Sequence, residues 1–148
     1  MLKDSPVNAL LKIIKTAKEG MMHMEQENNF KSPFFEKPKV VENDIGFVVY
    51  DAFPVAEGHC LIIPKRVYAN YFDSTPEEVS GLHDLVFQTK QLLDDKFNPD
   101  SYNVGINCGE HAGQTVPHVH IHLIPRYKGD MENPRGGVRG VIPEKQKY

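Results

Sequence analysis

Cysteine is scarce in this chain of 148 residues, which contains only Cys60 and Cys108 and no Cys-x-x-Cys pair. Neither a disulfide framework nor a cysteine-rich zinc site is therefore expected. The sequence also lacks an apolar run near the roughly 20 residues of a membrane span. Its N-terminal stretch has no long uncharged core and no small-residue cleavage site, unlike a signal peptide. We expect a cytoplasmic protein with no membrane partner.

An excess of basic charge is also missing, because the formal net charge is −3. This argues against a protein that holds a nucleic acid polymer by a general basic field. The C-terminal segment 126–148 is locally different, with six basic residues against three acidic ones. A small anionic ligand could bind there, or the segment is a solvated tail.

The N-terminal residues predict a short amphipathic helix. Ser5 followed by Pro6 is a favourable helix start, and Gly20 offers a stop. Apolar residues recur between them at helical spacing: Val7, Leu10, Leu11, Ile14 and Ala17. No steady period follows, so we expect a helix and connector over 1–29, a compact domain over 30–128 and a C-terminal tail over 129–148.

The middle of the chain alternates strand-like segments with one helical segment. Thr75 is a favourable N-cap before Pro76, and acids and an apolar stripe follow, so a long helix is predicted from 75 to about 97. Four segments predict strands: IGFVVYD (45–51), GHCLIIPK (58–65), SYNVGIN (101–107) and HVHIHLI (118–124). The short link between the first two favours antiparallel neighbours. This order indicates an α+β domain, an antiparallel sheet of about five strands with a long helix packed on one face.

Histidine occupies every second position of the last predicted strand. His118, His120 and His122 should share one face of the strand, and the apolar residues between them should face the core. Neutral imidazoles are good metal ligands. Alternatively, one imidazole is a nucleophile, and its neighbours orient it and bind an anion. Both chemistries are compatible with the row.

The loop before this strand favours phosphate chemistry. Gly109 and Gly113 allow the backbone to approach a ligand and to turn its N–H groups toward phosphate oxygens. Gln114 and Thr115 add polar side chains. A metal site would be expected to bring a further acidic or thiol group nearby, and the segment offers only Cys108, Glu110 and His111.

HVHIHLI resembles the His-x-His-x-His-x-x signature, with x apolar, of the histidine-triad family of nucleotide hydrolases and transferases. The longer stretch AGQTVPHVHIHLIPR (112–126) is especially similar to the fragile-histidine-triad, or diadenosine polyphosphate hydrolase, branch. FPVAEGHCLIIPK (53–65) resembles the second motif of the family. The resemblance covers about residues 30 to 128 and implies a HIT-like fold.

The resemblance implies an enzyme, a nucleotidyl hydrolase that cleaves at the α-phosphate of an adenine nucleotide conjugate through a covalent AMP-histidine intermediate. His120 matches the nucleophile. His118 and His122 match the flanking histidines, which hold the nucleophile and meet the phosphate, and His59 matches a supporting histidine. His120 must be neutral to attack, and a backbone carbonyl that holds one ring N–H would direct the lone pair of the other nitrogen at phosphorus.

The nucleotide contacts and partners are also implied by the resemblance. Asp51 matches the position that contacts the ribose hydroxyls. The phosphate-binding positions are Asn107, Gly113, Gln114, Thr115 and Val116. No bound cofactor or protein-bound metal is implied, although a polyphosphate substrate could arrive with Mg²⁺. The family generally forms a homodimer.

The leaving group stays open at this point. The fragile-histidine-triad branch favours a dinucleoside polyphosphate and usually has Gln where this chain has Asn107. The nucleoside-phosphoramidate branch tends to have Asn there, and adenylylsulfate is a third possibility. His122 argues against the transferase branch, where the last histidine of the row is commonly Gln. A metal-binding protein that uses the histidine row is the alternative of a different class.

Overall fold

A computed structural model describes residues 6–27 and 30–148 of the chain. It divides into two units, Met1–Lys31 and Ser32–Tyr148. Neither of the two long helices in the described ranges has the length and apolar character that a membrane crossing needs.

Among the described residues of the first unit, Pro6–Glu27 form the helix α1. The predicted start at Pro6 is confirmed, but the predicted stop at Gly20 is wrong. A glycine inside a helix costs only about 1 kcal/mol relative to alanine, and the residues that follow it, MMHMEQE, are mostly good helix formers. The helix therefore continues through Gly20.

The second unit is built on one antiparallel sheet with the strand order β1-β2-β3-β5-β4. The strands are β1 (Val41–Glu42), β2 (Gly46–Tyr50), β3 (Cys60–Pro64), β4 (Ser101–Ile106) and β5 (Ile121–Arg126). The predicted sheet of about five strands is confirmed, as is the antiparallel pairing of β2 with β3. Strand β1 has only two residues, too few for an alternating pattern to reveal it.

The histidine segment differs from its prediction as a strand over 118–124. Strand β5 begins at Ile121 and runs to Arg126, so His118 and His120 precede the paired ladder. The backbone N–H of Val119 donates to the carbonyl of Tyr68 at 2.8 Å, in the loop after β3, rather than to a neighbouring strand. Val119, Ile121 and Leu123 are buried as predicted, but His118 and His120 are buried as well.

The long helix α2 (Pro76–Phe97) covers one face of the sheet, as predicted. Thr75 caps its N-terminus in a capping box with Glu78, and Asn98 ends it in the left-handed conformation. The core between helix and sheet consists of Val48, Cys60, Ile62, Leu82, Leu85, Leu93, Ile121 and Leu123. Burial raises the pKa of the Cys60 thiol to about 12, so this cysteine is a packing residue.

A second, smaller core lies on the opposite face of the sheet. It consists of Phe34, Phe47, Val49, Leu61 and Ile63. The short 3-10 helix Pro33–Glu36 supplies Phe34 to it. Side chains alternate along a strand, so Asp51, two residues beyond Val49, and His59, two residues before Leu61, are directed to this same face.

The C-terminal segment predicted as a tail is folded. It forms two 3-10 helices, Gly137–Val141 and Pro143–Lys145. Gly136 has φ +87°, and a Cβ there would lie 1.8 Å from the carbonyl oxygen of Gln146, so only glycine fits. A Cβ on Gly137 would lie 3.5 Å from the amide nitrogen of Asn103. The segment therefore packs beside β4.

Candidate active site

Strand pairing brings distant parts of the sequence together at this face. Leu61 of β3 pairs with His122 of β5, and His122 pairs in turn with Gly105 of β4. The backbone N–H of Asp51 donates to the carbonyl of His59 at 2.9 Å. Asp51, His59 and His122 are therefore neighbours on the face opposite α2.

His59 and His122 share a hydrogen bond with a defined direction. The backbone N–H of Val55 donates to Nδ1 of His59 at 3.0 Å, so that nitrogen carries no proton and the neutral ring is protonated at Nε2. Nε2 of His59 lies 2.9 Å from Nδ1 of His122 and donates to it. The neutral ring of His122 therefore carries its proton on Nε2.

His120 is held in the other tautomer, with its proton on Nδ1. Its Nδ1 lies 2.7 Å from the backbone carbonyl oxygen of His118. A carbonyl oxygen only accepts, so Nδ1 carries the proton and Nε2 retains a free lone pair. This is the backbone carbonyl contact that was predicted to hold one ring N–H of His120. The centroids of the His120 and His122 rings are 5.2 Å apart, so a ring with an unprotonated Nε2 adjoins a ring with a protonated Nε2.

His118 lies behind His120 and is completely buried. Its Nε2–H donates to the carbonyl of Pro64 at 2.8 Å, and its Nδ1 lies 2.7 Å from the hydroxyl of Ser32, which donates to the neutral ring. Both ring nitrogens are engaged, although the resemblance implies that this histidine meets the phosphate. In this geometry His118 fixes the segment that carries His120.

A cavity of about 370 Å³ opens in front of His120. Seven of the site residues implied by the resemblance line it: Asp51, Asn107, Gly113, Thr115, Val116, His120 and His122. Gln114 does not. Its Oε1 accepts from the N–H of Gly109 at 2.8 Å, and its Nε2 donates to the carbonyl of Ala69 at 2.7 Å. Its side chain therefore braces the loop that forms the cavity wall.

Three residues of this site were not found from the sequence. Ser32 bonds to His118, the Phe34 ring centroid is 5.2 Å from that of His120, and Phe34 and Lys37 line the cavity. All three lie in or just after the stretch that lacked a steady period. No local pattern marks them, because only the folded chain places them against β3 and the histidine segment.

Burial keeps three imidazoles of this site, those of His59, His118 and His122, uncharged near neutral pH. It lowers the pKa of His59 and of His118, against the opposing effects of Asp51 and of the Pro64 carbonyl respectively. It also lowers the pKa of His122 to about 4, assisted by the neighbouring His120 and His59. These directions agree with the neutral tautomers that the hydrogen bonds define.

One group of atoms at the site could hold a metal ion. Nε2 of His59, Nδ1 of His122 and Oδ2 of Asp51 are separated by 2.9, 3.5 and 3.9 Å. A point about 2.0 Å from all three atoms exists inside such a triangle, and this is the usual length of zinc bonds to nitrogen and oxygen.

Comparisons with known proteins show which family this chain resembles. The family model of the HIT domain matches residues 35–129. The bis(5′-nucleosyl)-tetraphosphatase [asymmetrical] of Schizosaccharomyces pombe is 44% identical over 77 residues, which are 52% of this chain and 42% of that protein. The bis(5′-adenosyl)-triphosphatase of Dictyostelium discoideum is 40% identical over 90 residues, 61% of this chain and 60% of that protein. The match thus spans less than two thirds of either relative.

Similarity extends to solved structures. The crystal structure of a HIT family protein from Bacillus anthracis superposes with a TM-score of 0.61 at 39% sequence identity, over 64% of this chain and 67% of that chain. The similarity therefore includes both the fold and the sequence.

The neutral histidines predict a pH-dependent stability. The pKa values of His59, His118 and His122 lie below the ordinary 6.5, so the unfolded chain binds more protons below that pH. The free energy of unfolding should be highest above about pH 6.5 and fall toward pH 4, by at most about 1.4 kcal/mol per pH unit for each histidine. Urea unfolding at about pH 7, 6 and 5 measures this slope.

The carboxylate of Glu78, which is paired with Arg66, changes the free energy of unfolding in a lower pH range than the histidines do. Hydrogen bonding to Arg66 lowers the pKa of Glu78 from 4.5 to about 2, so its contribution is lost only as the pH falls below about 4.5. An unfolding free energy that stays constant from pH 7 to pH 5 would contradict the burial of neutral imidazoles.

Proposed function

Because this chain belongs to the HIT domain family, we propose that it is a nucleotidyl hydrolase that cleaves at the α-phosphate of an adenine nucleotide conjugate. The observation that carries the proposal is the free Nε2 of His120, fixed by the carbonyl of His118 at 2.7 Å and placed at a cavity. A nucleotide substrate is also supported by the similarity to a bis(5′-nucleosyl)-tetraphosphatase and a bis(5′-adenosyl)-triphosphatase.

The reaction proceeds in two transfers. The Nε2 lone pair of His120 forms a bond to the α-phosphorus, and the bond from phosphorus to the leaving oxygen breaks, with its electrons on that oxygen. Water then attacks the AMP-histidine intermediate. The phosphorus–nitrogen bond breaks, its electrons return to Nε2, and the proton of the water is released to solvent. Reacting atoms must lie about 3 to 3.5 Å apart for either step.

His122 supplies a hydrogen bond to the oxygen that leaves. Its Nε2–H is free because His59 donates to its Nδ1 at 2.9 Å. Burial lowers the pKa of His122 to about 4, so the neutral ring offers this one N–H to the leaving oxygen. A dinucleoside polyphosphate is the favoured substrate because the two enzymes similar to this chain are named for such substrates. A nucleoside phosphoramidate or adenylylsulfate is the alternative.

Residues of the cavity wall can stabilise the negative charge on the phosphoryl oxygens. Lys37 contributes a cation and Thr115 a hydroxyl. Gly113, in the left-handed conformation with φ +91°, shapes the loop beside them. Such preorganised donors are the largest contribution in many phosphoryl transfers. Mg²⁺ enters this proposal only as a companion of the polyphosphate substrate.

Asp51 is proposed to bind the ribose hydroxyls. Its Oδ1 accepts from the N–H of Phe53 at 2.8 Å, while its Oδ2 lies 3.5 Å from Nε2 of His59. One carboxylate oxygen thus holds the loop, and the side chain as a whole lines the cavity. The homodimer and the cytoplasmic location remain predictions from the sequence.

Replacement of the nucleophile tests the proposal most directly. We expect His120→Asn to lower kcat by more than about a hundredfold, a loss above about 2.7 kcal/mol, while AMP still binds. Turnover of diadenosine triphosphate and calorimetric binding of AMP are the two measurements, with His111→Ala as the histidine control. A folded His120→Asn protein with more than about one hundredth of the wild-type kcat would exclude His120 as the nucleophile.

The ribose contact is tested by comparing two ligands. Asp51→Ala should weaken binding of AMP by ~1 to 3 kcal/mol and weaken binding of 2′,3′-dideoxy AMP much less, because only AMP has the hydroxyls to lose. Calorimetry on both ligands measures the difference. Equal losses would assign Asp51 to the support of the loop and of His59 instead.

A second candidate function, binding of a divalent transition metal, is favoured by the close atoms of Asp51, His59 and His122. Such a metal would have to displace the proton that His59 and His122 share. We therefore expect purified protein to contain no stoichiometric metal by elemental analysis. One tightly held metal per chain, lost in His122→Ala and kept in His111→Ala, would favour the metal-binding function.

A further inference from the structure

A second cavity adjoins the first on the same face of the sheet. It has a volume of about 670 Å³ and shares with the first cavity the residues Asp51, Phe53, Asn107 and His122. Its floor is formed by β4 and β5 and its wall by the C-terminal segment 137–146, so we name it the tail groove. We propose that the tail groove binds the second nucleoside of a dinucleoside polyphosphate, which is the leaving side of the reaction proposed above and depends on that reaction.

The position of His122 connects the two cavities. In a displacement at phosphorus the leaving oxygen points away from the attacking atom. His120, the attacking residue, lines only the first cavity, whereas His122 lines both. A leaving group that accepts the Nε2–H of His122 and continues away from His120 therefore enters the tail groove.

Gly105 keeps the floor of the groove open beside His122. The two residues pair directly across β4 and β5, which places them on the same face. A Cβ built on Gly105 would meet no heavy atom within 4 Å. Glycine weakens a strand because it has no side chain to pack and loses more entropy on folding. A larger residue would fit the strand but would occupy the space next to the donor of His122.

The wall of the groove is a fixed part of the fold. The guanidinium carbons of Arg135 and Arg139 lie 4.8 and 5.1 Å from the centroid of the Tyr148 ring. The side chain of Gln146 donates to the carbonyl of Arg135. Together with the close approach of Gln146 to Gly136, these contacts hold Val138 and Val141 at the groove.

The lining is suited to a nucleobase. Phe53, Val138 and Val141 line the groove and remain 88%, 60% and 77% exposed. Val55, Ile124 and Met131 add further apolar surface. Polar side chains also line the groove, those of Asp51, His59, Asn103, Asn107, His122, Arg126 and Gln146. A flat aromatic base can bury its faces against the apolar side chains. The groove has a volume of about 670 Å³, within the range of about 300 to 1,000 Å³ that is typical of small-ligand sites.

The charges argue against a long phosphate chain in the groove. Arg126 is the one Lys or Arg among the described residues that line it. Its guanidinium is held by Asp130 at 2.8 Å and by Asn103 at 2.7 Å, so its charge is already compensated. Arg135 and Arg139 stack on Tyr148 and do not line the groove. The basic segment therefore offers an apolar wall rather than the anion site that its composition suggests.

A side chain added to the floor tests the inference. We expect Gly105→Val to lower kcat/KM for diadenosine triphosphate at least about tenfold more than for adenylylsulfate, whose sulfate leaving group is small. Ser101→Val is the matched control, since Ser101 lies on the same strand and the same face but outside the groove. The control should change the ratio of the two kcat/KM values by less than about twofold. Urea unfolding checks that both variants are folded.

A binding measurement separates this inference from the proposed reaction. In the His120→Asn background, Gly105→Val should raise the Kd of diadenosine triphosphate by at least about tenfold relative to that of AMP. An equal loss for both ligands, or no loss for either, would overturn the tail groove whether or not the wild-type protein is active. If the wild-type protein hydrolyses neither substrate but Gly105→Val still weakens binding of diadenosine triphosphate selectively, only the proposed reaction would be overturned.

Discussion

One hydrogen bond to a backbone carbonyl determines the chemistry available at this site. The carbonyl of His118 holds the Nδ1–H of His120 and leaves Nε2 as the free nitrogen. That carbonyl is itself fixed because the ring of His118 is bonded on both sides, to Pro64 and to Ser32. The tautomer of His120 thus depends on a buried neighbour that lines neither cavity.

Burial of neutral imidazoles is the common physical constraint. A charged ring in this environment would lose hydration without a full counter-charge, and Asp51 lies 3.5 Å away, beyond a short hydrogen bond. The rings of His59, His118 and His122 therefore stay neutral, and hydrogen bonds determine which ring nitrogen of His120 and of His122 is protonated. His120 offers a lone pair, and His122, ordered by His59, offers an N–H. Two residues of the same type thus acquire opposite functions from the partners behind them.

The sheet separates stability from function. Its α2 face carries the larger core, and its other face carries the small core and the histidines. The central strand β3 is buried on both sides, so both faces are anchored to one element. The C-terminal segment adds to the functional face alone, beside β4 at the edge of the sheet.

Local patterns in the sequence determined much of this structure. Runs of β-branched and aromatic residues predicted β2 and β3, and the cap at Thr75 predicted the start of α2. Gly109 and Gly113 predicted the loop that forms the cavity wall. Each of these signals lies within a few residues of the feature it specifies. The histidine row and the upstream His59 motif were sufficient to identify the family.

Tertiary structure decided the remainder. The sequence alone could not place Ser32 on His118, Lys37 at the cavity or Gly137 beside Asn103 of β4. These contacts join segments that are far apart in the chain and have no periodic pattern. The sequence also could not show that the ladder begins at Ile121. That boundary depends on Val119 bonding to Tyr68, and strand pairing is a property of two segments, of which a sequence pattern describes only one at a time.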